Sequence, residues 1–374
     1  MLIVTVRRKL EEPYGSDGYK NIRAALDAYA RPSADGVLAV DDPNDCAMLN
    51  LAPIASTESG SILLAIRAVR DKRPMLADSL LIVGGDSVVP QFQLGNPVQD
   101  RSIDSDSVVF TDNPYGAASE TLEQYLAPSL PVGRIVDDTS AGADGFVALI
   151  ERLANRRTSS AAVSGSALVV NDDWREDSQK VATALPGPQD WHFSPGYQLN
   201  ANSKADAARH LLYFNLHGFS GDPAWKGYSQ EAWKSPSQEP GQFVTAVSPD
   251  AFDREYVNGA IAFAECCYGA EIRGRTPDSS CALKLQNEGA AFVGSTGLAF
   301  GSYLAPGLFL DDADFLARAF FDGVRTGDSV GVALRNARQA YLRDKSENLS
   351  SVDLQYKRKT LLQFMLLGDP KWTM

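Results

Sequence analysis

At 374 residues, with 44% hydrophobic, 22% charged and 9% aromatic residues, the chain has the composition of a folded protein with room for one large core or two medium ones. Its formal net charge of −12 argues against nucleic-acid or anionic-membrane binding, and no run approaches the ~20 apolar residues of a membrane span. Four cysteines (Cys46, Cys266, Cys267, Cys281) and three scattered histidines (His192, His210, His217) make neither a disulfide framework nor a zinc signature.

The opening MLIVTVRRKL reads as a first strand and not as a signal peptide, because its apolar run is only about five residues and basic residues follow. Together with free thiols, this leads us to expect a cytoplasmic protein. Further strands are expected at 36–40, 79–85, 167–170, 211–216, 260–264, 290–294 and 364–368, alongside the first at 2–6. Most are continuous apolar runs, the pattern of parallel strands buried on both faces. Helical periodicity falls between them, at 19–31, 58–71, 142–157, 201–210, 311–325 and 329–345. The alternation predicts an α/β fold, a mostly parallel sheet flanked by helices. The polar, Ser-rich segment RRTSSAAVSGSA (156–167) is the expected internal boundary. It gives two side-by-side α/β subdomains, 1–157 and 158–374, the second carrying the chemistry.

Open parallel sheets place functional groups just past the carboxyl ends of their strands. In the C-terminal half, ALVV ends in Asn171-Asp172-Asp173, LLYFNL in His217-Gly218, and AIAFA in Glu265-Cys266-Cys267-Tyr268-Gly269. A thiol becomes a good nucleophile on deprotonation, and a nearby imidazole is the usual means. Glycine beside the histidine admits substrate backbone and can offer an N–H to an oxyanion. Cys46, Cys266 and Cys281 are expected as small buried hydrophobes, His192 and His210 as structural residues. Asp172 and Asp173 could equally open a loop or cap a helix. GGDS (84–87) and GSTG (294–297) complete neither a nucleotide-binding nor a GxSxG motif.

Strand–His–Gly followed by strand–x–x–Cys–x–Gly resembles the caspase-like (clan CD) cysteine peptidases, whose histidine lies about 50 residues upstream of the cysteine motif. Here 50 residues separate His217 from Cys267. Within that clan, the chain is most similar to the gingipain family. LLIVGGDSVVP (80–90), SDSVVFTDNPYG (105–116), LPVGRI (130–135), LYFNLHGFSGDPAW (212–225), IAFAECCYGA (261–270), GAAFVGSTGLAFGS (289–302) and LLGDPKW (366–372) resemble its blocks in order. Asn-Leu replaces the family's small residues before the histidine. One residue is missing between cysteine and glycine.

The resemblance implies Cys267 as nucleophile and His217 as general acid/base, with Gly218 and Cys267 N–H groups at the oxyanion. Asp172 or Asp173 would orient the histidine. Asp177 would supply an acid to the S1 pocket for a P1 arginine or lysine; as an N-cap for a helix near Ser178 it has an equal claim. In caspases the loop after the cysteine is cut on activation, which points to Arg273 and Arg275 as processing sites, although an ordinary basic active-site loop explains them as well. The expected partners are protein or peptide substrates and an activating protease or regulatory protein, with no nucleic acid and no membrane. No cofactor or metal is implied; calcium on the acidic loop 101–107 has no support in the sequence. Without a recognised secretion signal, the expected setting is an intracellular, regulated protease, with bacterial defence or cell death as its context. Two readings stand beside it: a caspase-like pseudoprotease scaffold, and a cysteine amidase on small substrates.

Overall fold

The computed structural model describes residues 1–76, 78–157, 164–228, 242–301, 312–344 and 350–374. Its strands, in chain order, are β1 (Leu2–Thr5), β2 (Gly36–Ala39), β3 (Leu80–Val83), β4 (Phe92–Gly95), β5 (Val108–Thr111), β6 (Val132–Ile135), β7 (Ser166–Asn171), β8 (Gln189–Ser194), β9 (Leu211–Asn215), β10 (Trp225–Gly227), β11 (Val244–Val247), β12 (Ile261–Ala264), β13 (Ala291–Ser295) and β14 (Phe364–Leu367). The α-helices are α1 (Arg7–Ala30), α2 (Pro43–Met48), α3 (Ser59–Lys72), α4 (Asn113–Gly116), α5 (Leu122–Leu126), α6 (Gly142–Arg157), α7 (Arg175–Ala182), α8 (Arg254–Val257), α9 (Cys281–Asn287), α10 (Asp312–Arg325), α11 (Val330–Arg343) and α12 (Ser351–Gln363). No helix among the described residues is long and apolar enough to cross a membrane.

Ten strands form one sheet in the order β2-β1-β3-β6-β14-β13-β12-β9-β7-β8, with helices on both faces. Within β2-β1-β3-β6-β14 neighbours run parallel, as they do within β13-β12-β9-β7-β8. The two sets run in opposite directions, because β14 lies antiparallel to β13 with Phe364 beside Ser295. The carboxyl ends of β7, β9, β12 and β13 therefore share one edge, where β14 begins and α12 arrives. Those four strand ends build the candidate site.

Every strand expected from an apolar run is present, and each is buried along its length except β2, which is buried over its second half. β6 escaped the apolar pattern because it carries Arg134. That guanidinium is fully buried and held by Asp112 at 2.6 and 2.8 Å and by the carbonyls of Gly84 and Val89. β8, an edge strand reading QDWHFS, is too polar for the pattern. The helix expected at 19–31 begins at Arg7 and kinks at Gly15. The helix expected at 201–210 is only a short 3-10 turn, Lys204–Ala207, in which Ala207 alone is buried. α12 went unseen because it buries Lys357, Lys359, Thr360 and Gln363 along with its apolar residues, so no clean stripe shows.

One apolar cluster runs from Leu2 and Ile3 through Leu168 and Tyr213 to Leu366 and Trp372, so both strand sets contribute to a shared core. The expected boundary at 157/158 adjoins residues 158–163, which lie outside the described residues.

Candidate active site

β9 delivers Asn215, Leu216 and His217 to the sheet edge. The backbone of His217 then pairs with Lys226, N–H to O in both directions at 2.9 and 2.8 Å, which fixes the chain direction there. The imidazole sits in an aromatic box, its ring centre 4.3 Å from that of Trp174, 5.0 Å from Phe243 and 5.9 Å from Tyr228. Next door, β12 continues into Glu265, whose N–H donates to the Phe214 carbonyl at 2.8 Å. The chain turns sharply after Cys267: Tyr268 takes a left-handed φ of 54° and donates its N–H to the Gly297 carbonyl at 2.8 Å. The turn lifts Cys267 clear of the strand, while Cys266 stays in the core at 0% exposure.

Gly218 shows how closely the two strand ends approach. A Cβ built there would stand 1.8 Å from the Cys267 carbonyl oxygen, so no residue with a side chain fits this backbone. His217, Cys267, Trp174, Asn215 and Asp177 line one cavity of ≈ 470 Å³, joined by Glu265 and, from α10, Asp312 and Asp314.

Burial sets the resting protonation. It pushes the His217 imidazole down to about 4, against the opposing charge of Asp173. It pushes the Cys267 thiol up, opposed by the Ala299 N–H, which reaches Sγ at 3.3 Å, and by the charge of Lys359. At neutral pH the pair is thus imidazole and thiol, both uncharged. Cys266 is pushed up well above the ordinary thiol range by complete burial, which leaves it inert.

Below the Cys267 turn lies a buried charge cluster. The Lys359 ammonium, fully buried on α12, is paired with Asp104 and with Asp106 at 2.8 Å. Asp106 also accepts from the Tyr268 hydroxyl at 2.7 Å and the Leu298 N–H at 2.8 Å. The acidic loop considered for calcium therefore has Lys359 as its counter-charge. Among the described residues no group of three or more His, Cys, Asp or Glu side chains could hold a metal ion.

The other sequence candidates fall into place around the cavity. Asp172 is tied to Arg175 at 2.6 Å. Asp173, exposed on the same 3-10 turn, is the carboxylate whose charge acts on His217. Asp177 lies in the first turn of α7, lines the cavity and accepts from Lys180 at 3.0 Å. It is not the N-cap of that helix, whose N-cap is Trp174. Arg275 is clamped: it pairs with Glu271 at 2.7 Å and donates to the Gly221 carbonyl at 2.8 Å. Glu271 in turn accepts from Ser220 and the Gly221 N–H, so the loop after Cys267 is bound to the loop after His217. Arg273 stacks over Phe110 at 4.0 Å and pairs with Asp86 at 3.3 Å.

Sequence reasoning passed over Glu265, Asp312, Asp314 and Trp174. A glutamate closing the apolar run AIAFA was the available signal for the first. Two aspartates opening an amphipathic helix were the signal for the next two, and they read as ordinary first-turn acids.

The family model for peptidase family C25 matches residues 55–374. No curated protein matches the chain. Among solved structures, the chain is similar to the Arg-specific cysteine proteinase gingipain R (RgpB), at 14% identity and a TM-score of 0.61, over 100% of this chain and 78% of that one. It is similar to the complex of Porphyromonas gingivalis RgpB pro- and mature domains, at 13% identity and a TM-score of 0.61, over 100% of this chain and 79% of that one. A further neighbour, described as a protease, gives 14% identity and a TM-score of 0.59, over 99% of this chain and 77% of that one. These likenesses carry the fold, and the family match carries the chemistry of the class: the chain belongs to peptidase family C25, the gingipain family of clan CD cysteine peptidases.

Proposed function

We propose that the protein is an endopeptidase that cleaves after arginine or lysine, with Cys267 as nucleophile and His217 as general acid/base. The observation that carries this reading is the shared cavity: one thiol and one imidazole line it, with Gly218 packed on the Cys267 backbone between them. The uncharged resting pair means that the thiol passes its proton to His217 as substrate binds, leaving a thiolate and an imidazolium. Sγ then attacks the scissile carbonyl, the N–H groups of Gly218 and Cys267 facing the oxyanion. His217 hands a proton to the leaving amine, and the C–N bond breaks to leave a thioester. Water, deprotonated by His217, hydrolyses it. Asp173, the carboxylate whose charge acts on His217, steadies the imidazolium formed on the way.

A basic P1 residue suits a cavity bordered by Asp177, Glu265, Asp312 and Asp314, and the Arg specificity in the name of gingipain R agrees with it. A reducing, cytoplasmic setting is part of the proposal, supported by four unpaired thiols. So is a regulatory partner over the cavity, for which the RgpB pro-domain complex is the analogy. The engaged side chains of Arg273 and Arg275 favour a structural loop over a processing site.

Peptide reporters bearing P1 Arg, Lys, Asp or Ala test the reading. Arg and Lys reporters should be cut, and Cys267→Ala and His217→Ala should each abolish turnover. Failure to cut any reporter, even after limited proteolysis of the enzyme, would favour a non-catalytic scaffold.

A further inference from the structure

Two solvent-facing rings lie beside the imidazole, outside the cavity. Among the described residues, Phe219 and Phe243 are the aromatic side chains that stand exposed, at 42% and 49%. Their ring centres are 5.0 Å apart and meet edge to face, at 84°. Phe243 also packs edge-on against His217 at 5.0 Å and leans on Tyr228 at 4.9 Å. Neither phenylalanine lines the cavity, whereas Trp174, the other ring on His217, does. His217 thus touches the cavity and the aromatic pair at once.

Both rings are carried on fixed backbone. Phe219 follows Gly218, the residue packed on the Cys267 carbonyl, and its own carbonyl accepts from the Asp222 N–H at 3.1 Å. The next two residues are bound to Glu271, through the Ser220 hydroxyl and the Gly221 N–H. Phe243 leads into β11, which pairs with β10, and Lys226 of β10 pairs in turn with the backbone of His217. Contiguous apolar surface that a fold holds out to water marks a contact site.

The chemistry of His217 says what that contact is. In acyl transfer the imidazole gives its proton to the leaving amine, so the residue bearing that amine, P1′, lies against the imidazole. P1 occupies the cavity, and the surface of His217 outside the cavity is covered by the phenylalanine pair. An aliphatic or aromatic P1′ side chain laid there removes ring surface from water and gains edge-to-face contacts. Glycine brings no surface to bury, and a carboxylate loses hydration against the rings.

We propose that Phe219 and Phe243 form an S1′ subsite for an aliphatic or aromatic residue on the leaving side of the scissile bond. The proposal rests on the peptidase reading of His217 and Cys267 and adds a second specificity to it. Phe219 is the side chain to vary, because Phe243 also shields the general acid and its loss would change both functions.

Binding is measured first, without turnover. Labelled peptides carrying Arg-Phe, Arg-Leu, Arg-Gly or Arg-Asp at P1–P1′ are titrated into the Cys267→Ala protein by fluorescence anisotropy. The Phe and Leu peptides should bind about 10-fold more tightly than the Gly and Asp peptides. Adding Phe219→Ala should level the four. Cleavage by the enzyme with Cys267 intact should follow the same order in kcat/KM. An arginine methyl ester, whose leaving group has no side chain, serves as the reference. Phe219→Ala should lower kcat/KM for the Arg-Phe peptide about 10-fold relative to the ester, through KM. Equal binding of the Phe and Gly peptides, a Phe preference that survives Phe219→Ala, or an equal loss on peptide and ester overturns the proposal. If no peptide is cut but the Phe preference in binding is present and is lost in Phe219→Ala, the peptidase reading fails and the apolar subsite stands. If peptides are cut without P1′ preference, the subsite fails and the peptidase stands.

Discussion

Cys266 and Cys267 are adjacent in sequence and opposite in surroundings. Cys266 is packed into the core with Ala264 and Ala270, whereas Cys267 stands in the cavity with a backbone N–H on its sulfur. Cys266→Ala should therefore cost about 1 kcal/mol of stability through lost packing, read as a denaturation midpoint shift, and leave turnover in place. Gly218→Ala forces a Cβ into the Cys267 carbonyl, so it should abolish activity and lower stability together. His217 is neutral above about pH 4, so its protonation should not limit kcat/KM for a neutral P1 reporter near pH 6. A steep acid loss for that reporter centred near pH 6.5 would mean that the imidazole is not desolvated as described. The residue scale is also where the sequence was most legible. His217, Gly218 and Cys267 announce themselves by following apolar runs, because a parallel strand delivers whatever comes next to the functional edge. Glu265 and Asp314 did not stand out, because only the fold brings a strand end and a helix start 49 residues apart to one cavity.

At the scale of elements, the Cys267 turn is held from α12. Lys359 neutralises Asp104 and Asp106, and Asp106 holds the Tyr268 hydroxyl and the Leu298 N–H. Removing the ammonium strands one buried and one half-buried carboxylate beneath Cys267. Lys359→Met should accordingly destabilise the protein by about 3–5 kcal/mol, and adding Asp104→Asn should restore part of the loss, as a double-mutant cycle by chemical denaturation would show. Equal loss in single and double variants would mean that the cluster is not coupled. This layer was hidden from sequence patterning. Burying a lysine inside α12 and an arginine inside β6 breaks the apolar periodicity by which helices and strands are recognised.

For the whole molecule, the antiparallel junction of β13 and β14 matters most. It joins two parallel strand sets into one sheet and points their carboxyl ends to opposite edges. Apolar runs foretold eight of the strands but not this reversal, because a buried strand reads the same in either direction. A molecule-wide consequence follows from Asp312, whose carboxyl is pushed up to about 7, by burial above all. Its folded-state value lies above its unfolded one, so stability from this group is present at low pH and lost as pH rises toward 7. Asp312→Asn, which keeps an acceptor for the Tyr341 hydroxyl, should be more stable than the parent at pH 8 and gain little at pH 4. Thermal melts at the two pH values check it; equal shifts at both would contradict the assignment.

The central claim, that Cys267 is the nucleophile of a cavity selecting cationic P1 groups, is tested most directly by trapping. A peptidyl-arginine chloromethyl ketone is reacted with the protein, and the modified residue is mapped by mass spectrometry. The account predicts a single adduct on Cys267, absent from His217→Ala and slowed by excess agmatine. An adduct on Cys266, or full labelling of Cys267 at a rate indifferent to agmatine, would contradict it.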